Sequence, residues 1–475
     1  MLSLFEHNQT DIELGVLWWP LAISVGSAAV IFVIFAALFR NAAKAGGLAS
    51  IVVLAFYYYA LFFSGKWFAI LWLGLFAAGF VAVARAGRGL GNLSLIAGVG
   101  AVVLVLFPLV KIAAYQAGHG SVSTSDPRLW PTKLAAPALP GRARKPDIYV
   151  IIPDDYARLD VLKRYFHYAD AAFVSALKKR GFVISPQSRS PYSDSEMNIA
   201  AALNMDYLDG LARIVGKSSQ DVRPVRHLIA DNRAARLLES IGYRYIHIDT
   251  DEVTFPVRNP QISILAPPDS FANLWLHQTL LRPFGGRFGF SDRAGDARFR
   301  TSIRSMFSKL DQVPSEPGPK FVVFHTLLPH DPYIYGVNGQ GVTFPDRSDA
   351  ALGSKLGMTY YLAQLRYLNR KLLETVDAIL AHSKSPPVIV LQSDEGFQAD
   401  PDTFGEAAMQ QVRVKGLIAL HLPGVAGNRI PEPPNTVNTL RFVLNRYFGT
   451  HYRLLRSASY PELDLPYQFE KMQVR

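Results

Sequence analysis

The sequence contains no cysteine, and charged residues are scarce in its first quarter. Without cysteine no disulfide can form, so any soluble domain must be stabilised by burial alone. About 330 residues follow the apolar first part. A domain of that size buries roughly three quarters of the surface of its unfolded chain, which is enough.

The scarcity of charge before residue 116 leaves four long apolar segments. Residues 15–39 carry no charge over a length that crosses a hydrocarbon core of about 30 Å, which predicts a transmembrane helix. The residues before it are acidic, as at Glu6, whereas a cleaved signal peptide begins with basic residues; the segment is therefore expected to remain. Three further spans are predicted, at 49–64, 67–84 and 93–115. The second is short, so a re-entrant hairpin with the third is the alternative.

The loops between these spans predict their orientation. Arg40 and Lys44 lie between the first two spans, Arg85 and Arg88 between the last two, and only Lys66 between the second and third. Because short cytoplasmic loops are enriched in Lys and Arg, the two basic loops belong inside. We therefore expect a multi-pass protein of the bacterial inner (cytoplasmic) membrane, with its C-terminal domain outside the cytoplasm.

The net charge of +11 is uneven along the chain. Residues 1–115 hold six Lys or Arg against three Asp or Glu, hence +3, which leaves +8 for the remainder. A basic domain beside a membrane suits anionic headgroups or other anionic substrates, although charge also serves solubility. No nucleic-acid partner is expected.

Residues after the apolar part predict a linker and an α/β domain. Residues 116–146 are rich in Pro, Gly, Ser and Ala without an apolar period, which is typical of a tether, and the domain is expected at 146–475. Strands are predicted at 148–152, 243–248, 321–328, 388–392 and 417–422, and helices at 168–179, 195–205, 232–240 and 359–382. This alternation predicts a mostly parallel central sheet covered by helices.

Acidic residues and a histidine follow three of these strands. Residues 153–155 read Pro-Asp-Asp, 393–395 read Ser-Asp-Glu and 329–331 read Pro-His-Asp. Ligands bind at the carboxyl ends of strands in open α/β sheets, so these side chains are candidates for a cation and phosphate site. Each tripeptide taken alone suits a turn or a helix cap better than a site, and it is their joint placement after buried strands that favours a site.

A possible nucleophile precedes the helix predicted at 195–205. Ser193 and Glu196 have capping-box spacing, so Ser193 is predicted as the N-cap. Ser195 then falls in the first helical turn, where the positive helix end favours an alkoxide and an anionic substrate. A bound metal would favour the deprotonated hydroxyl further.

Six segments, in order, resemble membrane-anchored sulfatase-like proteins of the alkaline phosphatase superfamily, a branch similar to lipoteichoic acid synthase and the phosphoethanolamine and phosphoglycerol transferases. The segments are PDIYVIIPDDYAR, SRSPYSDSEMNIAAALNMDYL, FVVFHTLLPHDPYIY, YLAQLRYLNRKLLETVDAIL, VIVLQSDEGF and VNTLRFVLNRYFG. The resemblance covers essentially all of residues 146–475. It implies a metal-dependent enzyme with a Ser, Thr or modified Cys nucleophile at a helix N-terminus.

The resemblance also implies roles for individual residues. Asp154 and Asp394 match metal-binding aspartates, Ser195 matches the nucleophile and His330 matches a histidine that contacts the substrate's phosphate or sulfate. Glu395 departs from the family, which has His or Asn there, and this leaves altered or lost activity open. A metal set of Asp154, Ser195, Asp394 and Glu395 is all oxygen, which favours one divalent Mn, Mg or Ca ion over Zn.

Two residues near these motifs are assigned differently. His325 lies within a predicted strand and is expected to be a core histidine. Asp155 either supports the metal ligands or fills a turn position.

The expected reaction is a two-step transfer of a phospholipid headgroup, of phosphoglycerol or phosphoethanolamine type. A membrane lipid is the expected donor and an anionic glycan or glycolipid the expected acceptor. Sulfate-ester hydrolysis is disfavoured because Ser195 is followed by Glu196 and Met197, which break the C/S-x-P-x-R motif from which sulfatases make formylglycine. Hydrolysis of phosphate esters, or a non-catalytic membrane scaffold of the same fold, is the alternative. A glycosyltransferase does not suit strand-end motifs that lie outside the membrane.

Overall fold

The computed structural model describes residues 1–59, 66–86, 90–119, 122–131, 133–137, 145–249, 270–282, 292–345, 353–399, 401–425, 435–461 and 463–474. Its helices are α1 (Leu2–Asn8), α2 (Trp18–Phe39), α3 (Ala42–Tyr57), α4 (Lys66–Arg85), α5 (Leu90–Gly118), α6 (Leu159–Tyr165), α7 (Ala171–Lys179), α8 (Ser195–Asn204), α9 (Asp209–Val215), α10 (Arg223–Ala230), α11 (Arg233–Glu239), α12 (Ser270–His277), α13 (Asp292–Gln312), α14 (Lys355–His382), α15 (Pro401–Phe404), α16 (Glu406–Arg413) and α17 (Thr436–Phe448). Its strands are β1 (Ile148–Asp154), β2 (Phe182–Ile184), β3 (Arg244–Ile248), β4 (Lys320–Pro329), β5 (Val388–Gln392) and β6 (Ile418–His421).

The chain divides into two compact units. The first comprises Met1–Gly120 and Pro267–Gly295, and the second comprises Ser121–Ala266 and Asp296–Arg475. The first unit thus takes in a short segment from the middle of the sequence. The division into 1–115, 116–146 and 146–475 stays a prediction.

The first unit contains apolar helices. Among the described residues, two segments are long and apolar enough to cross a membrane: Leu14–Phe39, with mean hydropathy 2.6, and Gly98–Gly118, with mean hydropathy 2.1. Ala42–Tyr57 and Ile70–Arg85 are apolar but shorter. The described residues therefore support two of the four predicted spans by length and composition, and the four-span bundle stays a prediction. The end of the span predicted at 49–64 and the loop residue Arg88 lie outside the described residues.

Contacts within the first unit join helices α2, α3 and α4. The Ser27 and Tyr57 hydroxyls lie 2.9 Å apart, joining α2 to α3. The Lys44 ammonium donates to the Ala84 carbonyl at 3.0 Å, joining α3 to α4. Apolar side chains on the outside of α2 remain exposed, as at Val25 and Val33. An uncovered apolar surface of this kind suits a lipid environment.

Within the described ranges, the second unit is built on a six-stranded sheet with the strand order β2-β6-β5-β1-β4-β3. β1 pairs in parallel with β4 and β5, and β3 pairs in parallel with β4. β6 runs antiparallel to β5, and β2 runs antiparallel to β6. The predicted α/β class with a mostly parallel sheet is confirmed. β2 was not predicted from the sequence, because its three residues are too few to show an alternating pattern.

Both faces of the sheet are covered. Along β1, Tyr149 and Ile151 belong to one buried cluster, together with side chains of α13 and α14. The alternate residues Ile148 and Val150 belong to a second cluster, with side chains of α8, α11 and α17. Successive side chains of a strand point to opposite faces, so a strand covered on both sides is apolar throughout. This arrangement leaves the carboxyl ends of the strands as the place for polar chemistry.

Part of the predicted tether belongs to the second unit and packs within it. Leu129 is fully buried in a cluster that includes Leu208 and Leu211 of the α9 region. The guanidinium carbon of Arg233 lies 4.9 Å from the centre of the Trp130 ring. A Cβ on Gly210 would lie 1.8 Å from the Leu129 carbonyl oxygen, so only glycine permits this approach.

Candidate active site at the strand ends

Two consecutive aspartates lie at the end of β1: Asp154 is its last residue and Asp155 follows it. The pairing of β1 with β4 shifts between Pro153 and Asp154, so that Asp154 pairs with Pro329. Asp155 has a φ of 60°, in the left-handed region that Asp tolerates better than most residues. Both aspartates are only 2% exposed. The strand end therefore carries two buried carboxylates in succession, and Asp155 is not a solvent-exposed turn residue.

The N-cap of α8 is Asp194, and the prediction of Ser193 as the cap is wrong. The Asp194 carboxylate accepts a hydrogen bond from the Met197 backbone N–H at 2.8 Å. Glu196 does not form a capping box, because it pairs with Arg226 at 2.8 Å. The Ser193 hydroxyl instead donates to the Tyr460 carbonyl at 3.4 Å. A charged acceptor with extended backbone caps the helix one residue later than the serine pattern predicts.

Ser195 is the first residue of α8 and contacts two carboxylates. Its hydroxyl lies 3.2 Å from Asp154 Oδ1 and 3.3 Å from Glu395 Oε1. Glu395 is 3% exposed, and Arg413 lies 3.9 Å from the same Oε1 atom. The structure therefore brings three of the predicted site residues together at the positive end of a helix.

Asp394 joins the group from the end of β5. Its Oδ1 accepts the Glu395 backbone N–H at 2.7 Å, which leaves Oδ2 facing the site. Oδ2 lies 3.8 Å from Nε2 of His325. The same Nε2 lies 4.0 Å from Asp154 Oδ2.

His325 belongs to the site, so its prediction as a core histidine is wrong. Its Nδ1 lies 2.8 Å from Asp249 Oδ1, a residue that follows β3 and that no motif in the sequence indicates. The signal available in the sequence was its position near the carboxyl end of β4, beside the strand that ends in Asp154. Strand pattern alone does not say which face carries polar contacts.

His330 lies beside Asp155. Its Nε2 is 4.0 Å from Asp155 Oδ2, and its Nδ1 is 2.7 Å from the Asp331 carbonyl oxygen. Its predicted contact with the substrate's phosphate stays a prediction.

The side chains of the site fit a cation. Asp154, His325 and Asp394 form one group of ligand atoms within 4.8 Å of one another, and Asp154, Asp155 and Glu395 form a second. Among the described residues, no hydrogen-bond partner exists for four buried atoms of these groups: Asp155 Oδ1, His325 Nε2, Asp394 Oδ2 and Glu395 Oε2. Buried polar atoms without partners are rare, and a missing ion is one of their ordinary explanations.

The pKa shifts of the site's carboxyl groups also suit a cation site. Burial, and then the charge of Asp394, raises the pKa of Asp154 well above its ordinary value. Burial likewise raises the pKa of Glu395, although Arg413 opposes it. Burial raises the pKa of Asp155 to about 6, against the attraction of His330. Several buried carboxylates thus lie close together, where a cation would stabilise their charged forms.

The chain matches no protein-family model and no curated protein sequence. Solved structures similar to it include periplasmic transferase domains and sulfatases. The C-terminal periplasmic domain of EcEptC from Escherichia coli, in complex with Zn, is 14% identical with a TM-score of 0.42, over 67% of this chain and 87% of that one. The corresponding domain of the phosphoethanolamine transferase EptC from Campylobacter jejuni is 11% identical with a TM-score of 0.43, over 66% of this chain and 92% of that one. A 2-O GAG sulfatase is 14% identical with a TM-score of 0.42, over 65% of this chain and 72% of that one.

These solved structures are of the same kinds as the proteins that the sequence resembles, namely phosphoethanolamine transferases and sulfatase-like proteins. At such identities and TM-scores they decide nothing about reaction or substrate. The side chains of this chain must therefore carry any functional conclusion.

Proposed function

We propose that this protein is a metal-dependent phosphoryl-group transferase that moves a phospholipid headgroup, of phosphoglycerol or phosphoethanolamine type, to a glycan or glycolipid acceptor. The observation that carries the proposal is the position of Ser195. Its hydroxyl begins helix α8 and lies within 3.3 Å of the buried carboxylates of Asp154 and Glu395. An alcohol beside acceptor carboxylates and a helix N-terminus is arranged as a nucleophile for an anionic substrate.

The proposed headgroup transfer has two steps. Ser195 Oγ forms a bond to phosphorus while the bond from phosphorus to the diacylglycerol oxygen breaks. The Ser195 proton passes to Glu395 Oε1, 3.3 Å away, and from there to the departing alcohol. In the second step an acceptor hydroxyl forms a bond to the same phosphorus while the bond from phosphorus to Ser195 Oγ breaks. The acceptor's proton passes to Glu395, and Glu395 returns a proton to Ser195 Oγ, which restores both side chains.

A divalent cation, when bound, would lower the pKa of the Ser195 hydroxyl and stabilise charge on the phosphoryl oxygens. Asp154 and Asp394 would hold it together with Glu395 Oε2, which has no hydrogen-bond partner among the described residues, while Glu395 Oε1 faces Ser195. His330 is proposed to contact the phosphoryl group of the substrate. Its ring nitrogen lies 4.0 Å from Asp155, which keeps it at the edge of the carboxylate group.

The apolar helices support a membrane lipid as donor. Leu14–Phe39 and Gly98–Gly118 have the length and composition of membrane spans. We propose that they anchor the protein in the bacterial inner membrane as part of a multi-pass region, with the second unit in the periplasm. The basic net charge of the chain suits anionic headgroups and an anionic acceptor.

The test is transfer from a headgroup-labelled lipid by the full chain in proteoliposomes. Phosphatidylethanolamine and phosphatidylglycerol are supplied separately, and the reaction is quenched in acid for peptide mass spectrometry. The expected result is a headgroup phosphate on Ser195 and none in Ser195→Ala. Ser193→Ala is the matched control, because Ser193 is not the helix cap and lies outside the carboxylate group; it should retain transfer. Full transfer by Ser195→Ala would show that Ser195 is not the nucleophile.

Two measurements separate the alternatives. A hydrolase would load Ser195 but release the headgroup to water with no dependence on acceptor. A non-catalytic scaffold would bind no divalent metal at near-neutral pH, in the wild type as in Asp394→Ala. The absence of bound metal in both proteins would overturn the enzyme proposal.

A further inference from the structure

His325 presents one ring nitrogen to the carboxylates of the site without a hydrogen bond. Its Nε2 is buried, and no hydrogen-bond partner for it exists within the described ranges. It lies 3.8 Å from Asp394 Oδ2 and 4.0 Å from Asp154 Oδ2, both too long for a hydrogen bond. Two ligands of one zinc-like ion at bonds of about 2.1 Å are about 3.4 Å apart in a tetrahedron and about 4.2 Å apart when opposite. The two observed distances lie between these values, so they suit side chains that share one ion.

The other ring nitrogen decides the tautomer. His325 Nδ1 lies 2.8 Å from Asp249 Oδ1. Because an ionised carboxylate only accepts hydrogen bonds, Nδ1 donates to it. A neutral imidazole that carries its proton on Nδ1 has its lone pair on Nε2, which is the atom that faces Asp154 and Asp394.

Asp249 is itself held in place by alternate residues of β3. Its second oxygen, Oδ2, lies 3.3 Å from His247 Nε2. His247 Nδ1 lies 2.9 Å from the Tyr245 hydroxyl, and Asn232 donates to that hydroxyl at 3.1 Å. Residues 245, 247 and 249 share one face because side chains alternate along a strand. The contacts thus form a continuous chain from Asn232, the N-cap of α11, to the imidazole of His325.

We propose that His325 is a nitrogen ligand of the site's cation and that Asp249 is a positioning residue that holds its imidazole with Nε2 free. The proposal rests on the proposed function, since it requires a cation at the site. Its consequence concerns metal identity. One imidazole among carboxylates suits Zn²⁺ better than Mg²⁺ or Ca²⁺, so the all-oxygen expectation of Mn, Mg or Ca would be replaced by a preference for a zinc-like ion.

Metal affinity tests this without reference to activity. The full chain, purified in detergent and stripped of metal, is titrated with Zn²⁺ and Mg²⁺ in competition with a chromophoric chelator. Asp249→Asn is expected to weaken Zn²⁺ binding about 10-fold to 100-fold, the usual effect of removing the carboxylate behind a metal-bound histidine. His325→Ala should weaken Zn²⁺ at least tenfold, with a much smaller change for Mg²⁺. Free imidazole should restore part of its Zn²⁺ affinity.

Two matched variants control for non-specific effects. His421→Gln removes a histidine whose Nδ1 lies 3.0 Å from the Pro387 carbonyl, away from the carboxylates. Asp377→Asn removes a carboxylate paired with Arg180 at 2.6 Å. Both should bind Zn²⁺ as the wild type does.

A spectroscopic readout separates ligation from general destabilisation. Co²⁺ in the wild type should give the visible absorption of a site with a nitrogen ligand, and Asp249→Asn, which retains His325, should shift it. Tight Zn²⁺ binding that is unchanged in both Asp249→Asn and His325→Ala, with unchanged Co²⁺ absorption, would overturn this inference and leave the role of Ser195 untouched. A wild type that binds no metal would instead overturn the proposed function.

Discussion

Replacing Gly396 by Ala should disturb the candidate active site through the backbone. Gly396 follows Glu395 and donates its N–H to the Arg413 carbonyl at 2.6 Å. A Cβ at this position would lie 2.1 Å from the Val412 carbonyl oxygen and 2.8 Å from that of Lys415. Both obstacles are backbone atoms, so no side-chain rotation relieves the clash, and the two segments must separate by about 1 Å to reach ordinary contact.

The expected loss of stability and of activity follows from that displacement. Overpacking of this kind destabilises by about 1–3 kcal/mol. At about 2–4 °C per kcal/mol for a large domain, Tm should fall by roughly 2–12 °C. Because Glu395 moves with the segment, its 3.3 Å contact with Ser195 should lengthen. A displacement of about 1 Å at a reacting group can reduce the rate about 100-fold.

Thermal unfolding of the full chain in detergent and the rate of headgroup transfer measure the two effects. Gly295→Ala is the matched control, because a Cβ there meets no heavy atom within 4 Å. Gly295 also lies in α13, where Ala stabilises relative to Gly by up to about 1 kcal/mol. If Gly396→Ala kept the Tm and the transfer rate of the control, the close approach of these two segments would not support the site.

Three further predictions concern charge, packing and metal. In metal-free protein, burial raises the pKa of Asp155 from about 3.8 in the unfolded chain to about 6 in the folded one. The folded state is therefore more stable where Asp155 is protonated, and it loses this stability as the pH rises from about 3.8 through about 6. Asp155→Asn should therefore gain about 3 kcal/mol relative to wild type between pH 4 and 7 in denaturant titrations; parallel curves would contradict this. Leu129→Ala should destabilise the second unit by about 2–5 kcal/mol although it lies in the predicted tether, and an unchanged Tm would refute its packing. A divalent metal at about 100 times its Kd should stabilise the wild type by about 2.7 kcal/mol, and Asp394→Ala should lose that gain. Scanning calorimetry of both proteins with and without metal measures the difference.

Local sequence predicted much of the candidate site because its residues follow strands. Asp154 and Asp394 each follow an apolar run that forms a central strand, and parallel strands carry their carboxyl ends to one edge. Ser195 was predicted in the first turn of a helix and lies there. The exact cap was missed, because Ser193 and Asp194 are both good N-caps and only the backbone conformation of the folded chain selects between them.

What the sequence determined by itself is therefore periodic and local: the apolar segments of the first unit, the α/β class of the second and the strand-end carboxylates. These depend on runs of neighbouring residues, whose burial and hydrogen bonding vary little with the rest of the fold. Tertiary structure alone decided that His325 Nε2 faces Asp154 and Asp394, and that Asp249 contacts the other ring nitrogen. Asp249 is 76 residues away from His325 along the chain, and only the pairing of β3 with β4 brings the two together. Contacts of that kind leave no periodic signal in the sequence.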